Sequence, residues 1–280
     1  MSIVVNTNIA SMNAQRSLMS SSNTLQEAME RLSTGKKINS AADDAAGFAI
    51  AESMTAQIRG LSMAAKNASD GLGLLKVIEN ATNDVTDILQ RVRELAVQAQ
   101  SGTNGTTDVG FLQKEANALF AEIDRISEDT TYNNTAYLGA SAGNVAIQVG
   151  YNDGDTITIT TQNVTSAQLG SAGTKLSDGA ATPTYLQINS ATALATISSA
   201  IDQVAGYKAD WGAGQNRLEY TVSNLMNVVE FTSAARSRIQ DADFALEAAK
   251  LSKAQVLQQS GAAMLAQANA APQLALQLLK

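Results

Sequence analysis

The 280-residue chain has no cysteine, no histidine, two prolines and only 4% aromatic residues. Without cysteine it has no disulfide framework and no thiolate chemistry. Without histidine it lacks the commonest general base and the commonest metal ligand. An enzyme is therefore not expected, nor a cofactor or a metal site. So few large side chains imply a thin core, of the kind formed by long helices lying side by side. No stretch approaches the roughly 18–20 apolar residues of a membrane span, so no membrane insertion is expected. The run from Met1 to Asn8 also lacks the basic start and apolar stretch of a secretory signal.

Positive charge is scarce in the middle of the chain. Residues 44–235 carry ten Lys/Arg against twenty Asp/Glu, whereas residues 1–43 and 236–280 together carry nine against six. An acidic middle disfavours nucleic acid, whose phosphates want a basic stripe. Termini near neutrality can crowd against copies of themselves.

What the chain does have is helical periodicity, clearest between Ser190 and Arg236. Leu194, Ile197, Ile201, Val204, Trp211, Leu218, Val222, Leu225 and Val229 step by three and four, with Lys208 and Gln215 the interruptions. Such a stripe needs a partner helix to bury it. Gly206, Gly212 and Gly214 lie inside it, each costing about 1 kcal/mol of helix propensity relative to alanine, so packing must hold the helix.

Residues 1–35 read as an amphipathic helix with two series: Val5, Ile9, Met12 and Met19, and Leu18, Leu25, Met29 and Leu32. Gly35 is a plausible stop. Ser40 is the candidate N-cap of the next helix, with Asp43 and Asp44 at its positive end. That helix is long, stepping through Leu61, Ala65, Ala68, Leu72 and Leu75 and then Val85, Ile88, Val92, Leu95 and Ala99, with Gly71 and Gly73 the threats to continuity. A third helix shows Leu112, Ala116, Leu119, Ile123 and Ile126 on one face, with Thr107 or Asp108 as cap. The alternating Val145, Ile147 and Val149, the turn at 152–155, and Ile157 and Ile159 predict a β-hairpin. Residues 162–189 read as loop with room for one short strand. The remainder, 190–271, is helical with a break between Thr232 and Asp243, and Pro272 is expected to end it. Beyond it, Leu274, Leu276, Leu278 and Leu279 have almost no polar cover, and a neighbouring copy is the expected receiver.

Acidic groups invite metal readings, and each has a plainer one. Asp43/Asp44 and Asp241/Asp243 with Glu247 suit helix N-termini. Gly71-Leu-Gly73 lacks the lysine and hydroxyl partners of a phosphate loop, and Asp153-Gly-Asp155 lacks the spaced carboxylates and terminal glutamate of a calcium loop. Arg91, Glu94 and Leu95 share a patch that is either a solvated edge of the seam or a partner-binding surface. The amphipathic arms at the two termini carry the most specific signal, which is self-association.

Particular strings sharpen this. Asn6-Thr-Asn8, Leu32-Ser-Thr-Gly-Lys-Lys-Ile-Asn-Ser40, Asp43-Asp-Ala-Ala-Gly47 and Gln90-Arg-Val-Arg-Glu-Leu-Ala-Val-Gln98 stand in the first half. Arg236-Ser-Arg-Ile-Gln-Asp-Ala-Asp243, Ser252-Lys-Ala-Gln255, Leu265-Ala-Gln-Ala-Asn269, Pro272-Gln273 and Leu278-Leu279 stand in the second. With these the chain resembles the bacterial flagellins over nearly all of residues 1–160 and 190–280. It departs in ending on Lys280 where the family usually has arginine, and in having a short central insert.

The resemblance implies a mainly α fold, with long antiparallel coiled-coil helices from both termini and a small central insert containing a β-hairpin. It assigns residues 1–43 and 236–280 to helical arms in a filament core, 44–140 and 190–235 to a rod-like shell, and 141–189 to an outward-facing insert. The arm positions expected to pack subunits are Val5, Ile9, Met12, Leu25 and Leu32, with Ile239, Leu246, Leu257, Leu265, Leu276 and Leu279. The implied partners are copies of the chain, an export chaperone on the C-terminal arm, and the flagellar cap and hook–filament junction proteins. Export unfolded through the flagellar type III apparatus and assembly at the growing tip follow from the same resemblance. In many flagellins an animal innate-immune receptor reads a strip matching Arg91, Leu95 and Glu115, although Leu119 stands here where that strip carries a further basic residue. A hook–filament junction protein with the same arms is the structural alternative. A flagellin carrying a metalloprotease needs a His-Glu-x-x-His helix, which a chain without histidine lacks, and an adhesin needs a larger insert than 141–189.

Overall fold

The computed structural model describes residues 7–171 and 173–277, with side chains described to residue 270. Among the described residues are five helices: α1 (Ile9–Thr34), α2 (Ala45–Ala99), α3 (Thr106–Asp129), α4 (Ala193–Gln240) and α5 (Phe244–Gln277). Between α3 and α4 lie the short strands β1 (Asn144–Gln148), β2 (Thr156–Thr160), β3 (Gly170–Ser171) and β4 (Thr174–Lys175). The chain forms two compact units, one running from Arg59 to Val229 and the other made of the segments on either side of it.

In the Arg59–Val229 unit the predicted stripes face inward. Leu75, Val85, Val92 and Leu95 of α2, Ala116 and Ile123 of α3, and Ile197, Val204, Trp211 and Leu218 of α4 are buried in one cluster. Lys208 and Gln215, the two interruptions, reach polar partners at the seam's edge: Lys208 Nζ donates to Asn83, and Gln215 Nε2 donates to Glu79 at 2.8 Å. Leu225 joins Leu61 and Ala64 in a smaller cluster.

The hairpin has the expected pairing, with Ile147 opposite Ile157 and Val145 opposite Ile159, and with Gly154 at φ 86° in its turn. Ile147, Ile157 and Ile159 are buried against the helices. This seating explains why Gly71 does not break α2. A β-carbon there would collide with the end of Ile147, so the propensity lost at glycine is offset by letting the hairpin approach the helix backbone. Nothing in the structure explains Gly206 or Gly212 in the same way.

Residues 162–189 contribute more than a loop. Val164, Leu169, Leu176 and Ile188 are fully buried, and β3 pairs with β4. Backbone bonds such as Leu176 N–H to Leu169 C=O at 3.1 Å and Leu186 N–H to Leu176 C=O at 2.9 Å are supplemented here by side chains of the helices. Gln203 accepts from Gly170 N–H at 3.1 Å and donates to Gly170 C=O at 2.7 Å. Gln113 donates to Leu186 C=O at 3.0 Å and accepts from Ile188 N–H at 2.8 Å. The Asp124 carboxylate accepts from both the N–H and the hydroxyl of Ser166 at 2.7 Å. Trp211 closes the set, donating from Nε1 to Thr160 C=O at 3.0 Å.

Three helix ends differ from expectation. Ser40 is not the N-cap of α2. Asp43 accepts from the N–H groups of Asn39 and Ser40, at 3.0 and 2.8 Å, and so closes a turn before the helix. Asp44 then becomes the cap, its carboxylate accepting from Gly47 N–H at 3.0 Å. The cap of α3 is Gly105 rather than Thr107 or Asp108. Asp108 lies inside the first turn and reaches back to accept from Gly105 N–H at 3.1 Å. Finally, α5 continues through Pro272 to Gln277. A proline inside a helix orphans the carbonyl four residues earlier. Here that is Ala268 C=O, which accepts instead from the Asn8 side chain at 2.7 Å.

Leu225→Asp places an unpaired carboxylate in the Leu61–Ala64 cluster, at a cost of several kcal/mol. A thermal melt of the full chain followed by circular dichroism should show its first transition well below that of the wild type.

Candidate functional site

The segments flanking the Arg59–Val229 unit fold on each other through α1 and α5. Asn8 caps α1 by accepting from Ser11 N–H at 3.0 Å, and Gly35 ends it in the left-handed conformation at φ 71°. The backbone of Lys36 then pairs antiparallel with that of Asp241 in the break after α4, and Ala242 N–H donates to Gly35 C=O at 3.0 Å. Asp243 caps α5, its carboxylate accepting from the N–H groups of Ala245 and Leu246 at 2.9 and 3.2 Å.

The two helices pair antiparallel. Ser11 Oγ donates to Asn269 at 2.7 Å, Ser21 Oγ donates to Ala254 C=O at 3.0 Å, and Arg31 meets Glu247 at 3.4 Å. On α1 the least exposed residues are Ser11, Ala14, Leu18, Ser21, Leu25, Ala28 and Leu32. On α5 they are Glu247, Leu251, Ala254, Gln258, Gly261, Leu265 and Ala268. Both sets alternate three and four, which is a heptad seam. It is unusual in its residues, since most are small or polar. Few large groups are buried, so the stabilisation is modest and the helix axes come close.

At one end of the seam sits a charge cluster. The Glu247 carboxylate is 4% exposed and pairs with Lys250 at 2.7 Å and with Arg31, which also holds Glu27 at 2.5 Å. The Lys250 hydrogen bond, reinforced by the Lys250 and Arg31 charges, holds the Glu247 carboxyl below the usual carboxylate range against the opposing effect of burial.

The expected packing positions divide accordingly. Leu25, Leu32 and Leu265 are half-buried in the seam, and Ile239 is half-buried near the end of α4. Ile9, Met12, Leu246 and Leu257 are not brought together, and stay exposed along with Met19, Val256 and Met264. Val5 and Leu279 lie outside the described residues, as does the side chain of Leu276. Reading large apolar residues alone missed Ser11, Ser21, Ala28, Ala254 and Glu247, which are buried. The available signal was the seven-residue period of the small residues.

The second candidate strip is only partly assembled at the surface. Arg91 donates to Glu115 from Nε at 3.1 Å and from Nη2 at 2.9 Å, and to Glu94 at 3.0 Å. The three side chains remain about half exposed or more. Leu95 is 1% exposed and belongs to the core beneath them, so it does not share the outer patch. Its step in the Val85–Val92 register turns it toward α3 and α4. Among the described residues no cluster of acidic groups is arranged to hold a metal ion, and no helix is long and apolar enough to cross a membrane.

Paired helices from opposite halves of a chain, joined by a thin seam and leaving apolar side chains open, define an elongated-helix structural subunit rather than a catalytic fold. Comparison with known proteins agrees. Residues 5–142 match the bacterial flagellin N-terminal helical region and residues 194–279 the bacterial flagellin C-terminal helical region. A flagellin of Halalkalibacterium halodurans is 42% identical, covering 99% of this chain and 100% of the relative. A flagellin of Bacillus subtilis is 40% identical over 99% of each chain, and the flagellar filament 33 kDa core protein of Treponema phagedenis is 38% identical over 99% and 100%. The chain belongs to the bacterial flagellin family.

The Glu247 cluster makes arm pairing pH-dependent. With its pKa depressed in the folded state, the carboxylate's contribution is complete above the ordinary glutamate pKa and is lost as pH falls through the folded value. The protection of α5 amides, taken as the exchange rate relative to the intrinsic rate at each pH, should therefore fall on acidification in the wild type. In Glu247→Gln protection should be lower at neutral pH and nearly flat with pH below it.

Proposed function

We infer that this chain is the structural subunit of the helical flagellar filament that drives swimming. The observation that carries the reading is the paired α1–α5 arms with their exposed apolar residues, on a chain matched along its whole length by flagellins. A hook–filament junction protein is not favoured, because the full-length relatives are flagellins and a filament core protein.

On this reading residues 1–43 and 236–280 form the filament core, 44–140 and 190–235 the surrounding shell, and 141–189 the outward-facing insert. The chain works outside the cell and has no catalytic role. It travels out unfolded, and the absence of cysteine and near-absence of proline suit threading, since neither crosslinks nor slow isomerisations obstruct it. The export chaperone engages the C-terminal arm, and the cap and junction proteins bound the growing polymer. The apolar arm positions Val5, Ile9, Met12, Leu25, Leu32, Ile239, Leu246, Leu257, Leu265, Leu276 and Leu279 serve either the seam or neighbouring copies. An innate-immune receptor reads the Arg91–Glu115 strip, with Leu95 acting by holding the α2 surface in place.

Three experiments test this. Purified chain should elongate filament seeds under the electron microscope, and failure to elongate under any condition that supports a control flagellin would sink the reading. Deleting residues 272–280 should abolish or severely weaken that elongation while leaving the melt of the Arg59–Val229 unit unchanged. Because the seam buries so little, limited proteolysis of dilute monomer should trim about forty residues from each end, and the same sites should be protected in filaments.

A further inference from the structure

The α1–α5 pair has two unlike flanks, and heptad geometry separates them. On one, Ala10, Asn13, Ser17 and Ser20 of α1 and Leu257 and Met264 of α5 line a groove of about 1030 Å³. On the other, α1 raises Met12, Met19 and Met29, which are 51%, 69% and 46% exposed. Beside that ridge the exposed α5 positions are Ser252, Gln255, Gln259 and Ala262. The flanks are thus unlike on both helices. The groove flank has a small-residue α1 and an α5 bearing Leu257 and Met264, whereas the ridge flank has a large-residue α1 and an uncharged, mostly polar α5.

We propose that the methionine ridge of one copy seats in the α1–α5 groove of the next, making a heterologous contact along the arm pair. This rests on the filament reading above and specifies which surfaces meet. Three observations select a second copy as the occupant. The ridge and the groove belong to the same chain and share one spacing: Met12 and Met19 are seven residues apart, as are Ala10 and Ser17, Asn13 and Ser20, and Leu257 and Met264. Copies packed parallel therefore bring the α1 methionines of one copy onto the small α1 residues of the next, at intervals of roughly 10 Å along the axis. Charge decides against the symmetric alternative. Arg16, Lys250 and Lys253 line the groove, and among the described residues Arg16 and Lys253 make no ion pair. Groove-to-groove packing would set these cations against their own copies, whereas the ridge flank carries no charged residue at its α1 or α5 positions. Finally, a head-to-tail contact between unlike patches leaves a free ridge and a free groove at the ends of an open assembly, so it can extend a polymer where a symmetric contact stops at a dimer.

A chain without cysteine allows a clean test. Met19→Cys, labelled with a benzophenone maleimide and co-assembled at one part in twenty with wild-type chain onto seeds, is photolysed and the crosslinked peptides are mapped. The expected product joins residue 19 of one copy to the groove-lining Ala10, Asn13, Ser17, Ser20, Leu257 or Met264 of another. Crosslinks to a second copy's Met12–Met29 flank, to its residues 59–229, or to no second copy in filaments that contain the label would overturn the proposal. Ser17→Trp supplies an independent reading, because it fills the groove from an exposed position outside the seam. It should cut the elongation rate at least tenfold with the monomer melt unchanged, and wild-type elongation would overturn the proposal. If the labelled chain is excluded from filaments, Ser17→Trp alone decides. Failure of unmodified chain to elongate seeds would instead remove the filament reading itself.

Discussion

The thin antiparallel seam between α1 and α5 is the constraint on which the rest depends. Two helices whose contacting residues are mostly serine, alanine, glycine and glutamine gain little from burial, and they compensate with side-chain bonds across the interface. Ser11 reaches Asn269, Ser21 reaches a backbone carbonyl, and Arg31 and Lys250 converge on one buried carboxylate. A seam filled with leucine would have used up the large apolar residues. Because small residues do the pairing, Met12, Met19, Leu257 and Met264 remain outside and available. Weak pairing within the chain and open surface between chains are two results of the same choice of residues.

The Arg59–Val229 unit solves a different problem. Its stripes bury fully, and its irregular stretch is fixed by long polar side chains rather than by strands. Gln113, Gln203 and Asp124 each satisfy two groups of the 162–189 segment, which lets that backbone lie against the core with few strand bonds of its own. Stacking of Phe120 on Tyr185, at 5.6 Å between ring centroids, ties the same segment to α3.

What was legible in the sequence follows from this division. The stripe from Leu194 to Val229, the α2 and α3 faces and the hairpin register were readable because large apolar residues mark them at a fixed period. Residues 162–189 were not, since Val164, Leu169, Leu176 and Ile188 fall at intervals matching neither helix nor strand, and the segment is held by irregular backbone bonds together with glutamines from distant helices. The caps were misplaced where two candidates adjoin, as at Ser40, Asp43 and Asp44, because the choice depends on which carboxylate closes the preceding turn. In the arms the largest side chains suggested the seam, and Leu18, Leu25, Leu32 and Leu265 do lie in it, while small residues on the same period complete it. Leu95 shows the converse, a residue placed on a surface strip by its spacing from Arg91 that the helix instead turns into the core.

Asn8 joins helix termini 260 residues apart. Its oxygen starts α1, and its amide nitrogen serves the carbonyl that Pro272 leaves without a helical partner. Neither half of that arrangement is informative alone, since an asparagine cap and a proline-interrupted helix are each commonplace. Together they act as a completeness check. A chain that stops short of Ala268 has nothing for the Asn8 amide to grip, and a chain lacking Asn8 leaves α5 with an unmet acceptor beside its proline. The joint closes only when both distant stretches are present on one molecule, so the residue that starts one arm also repairs the other.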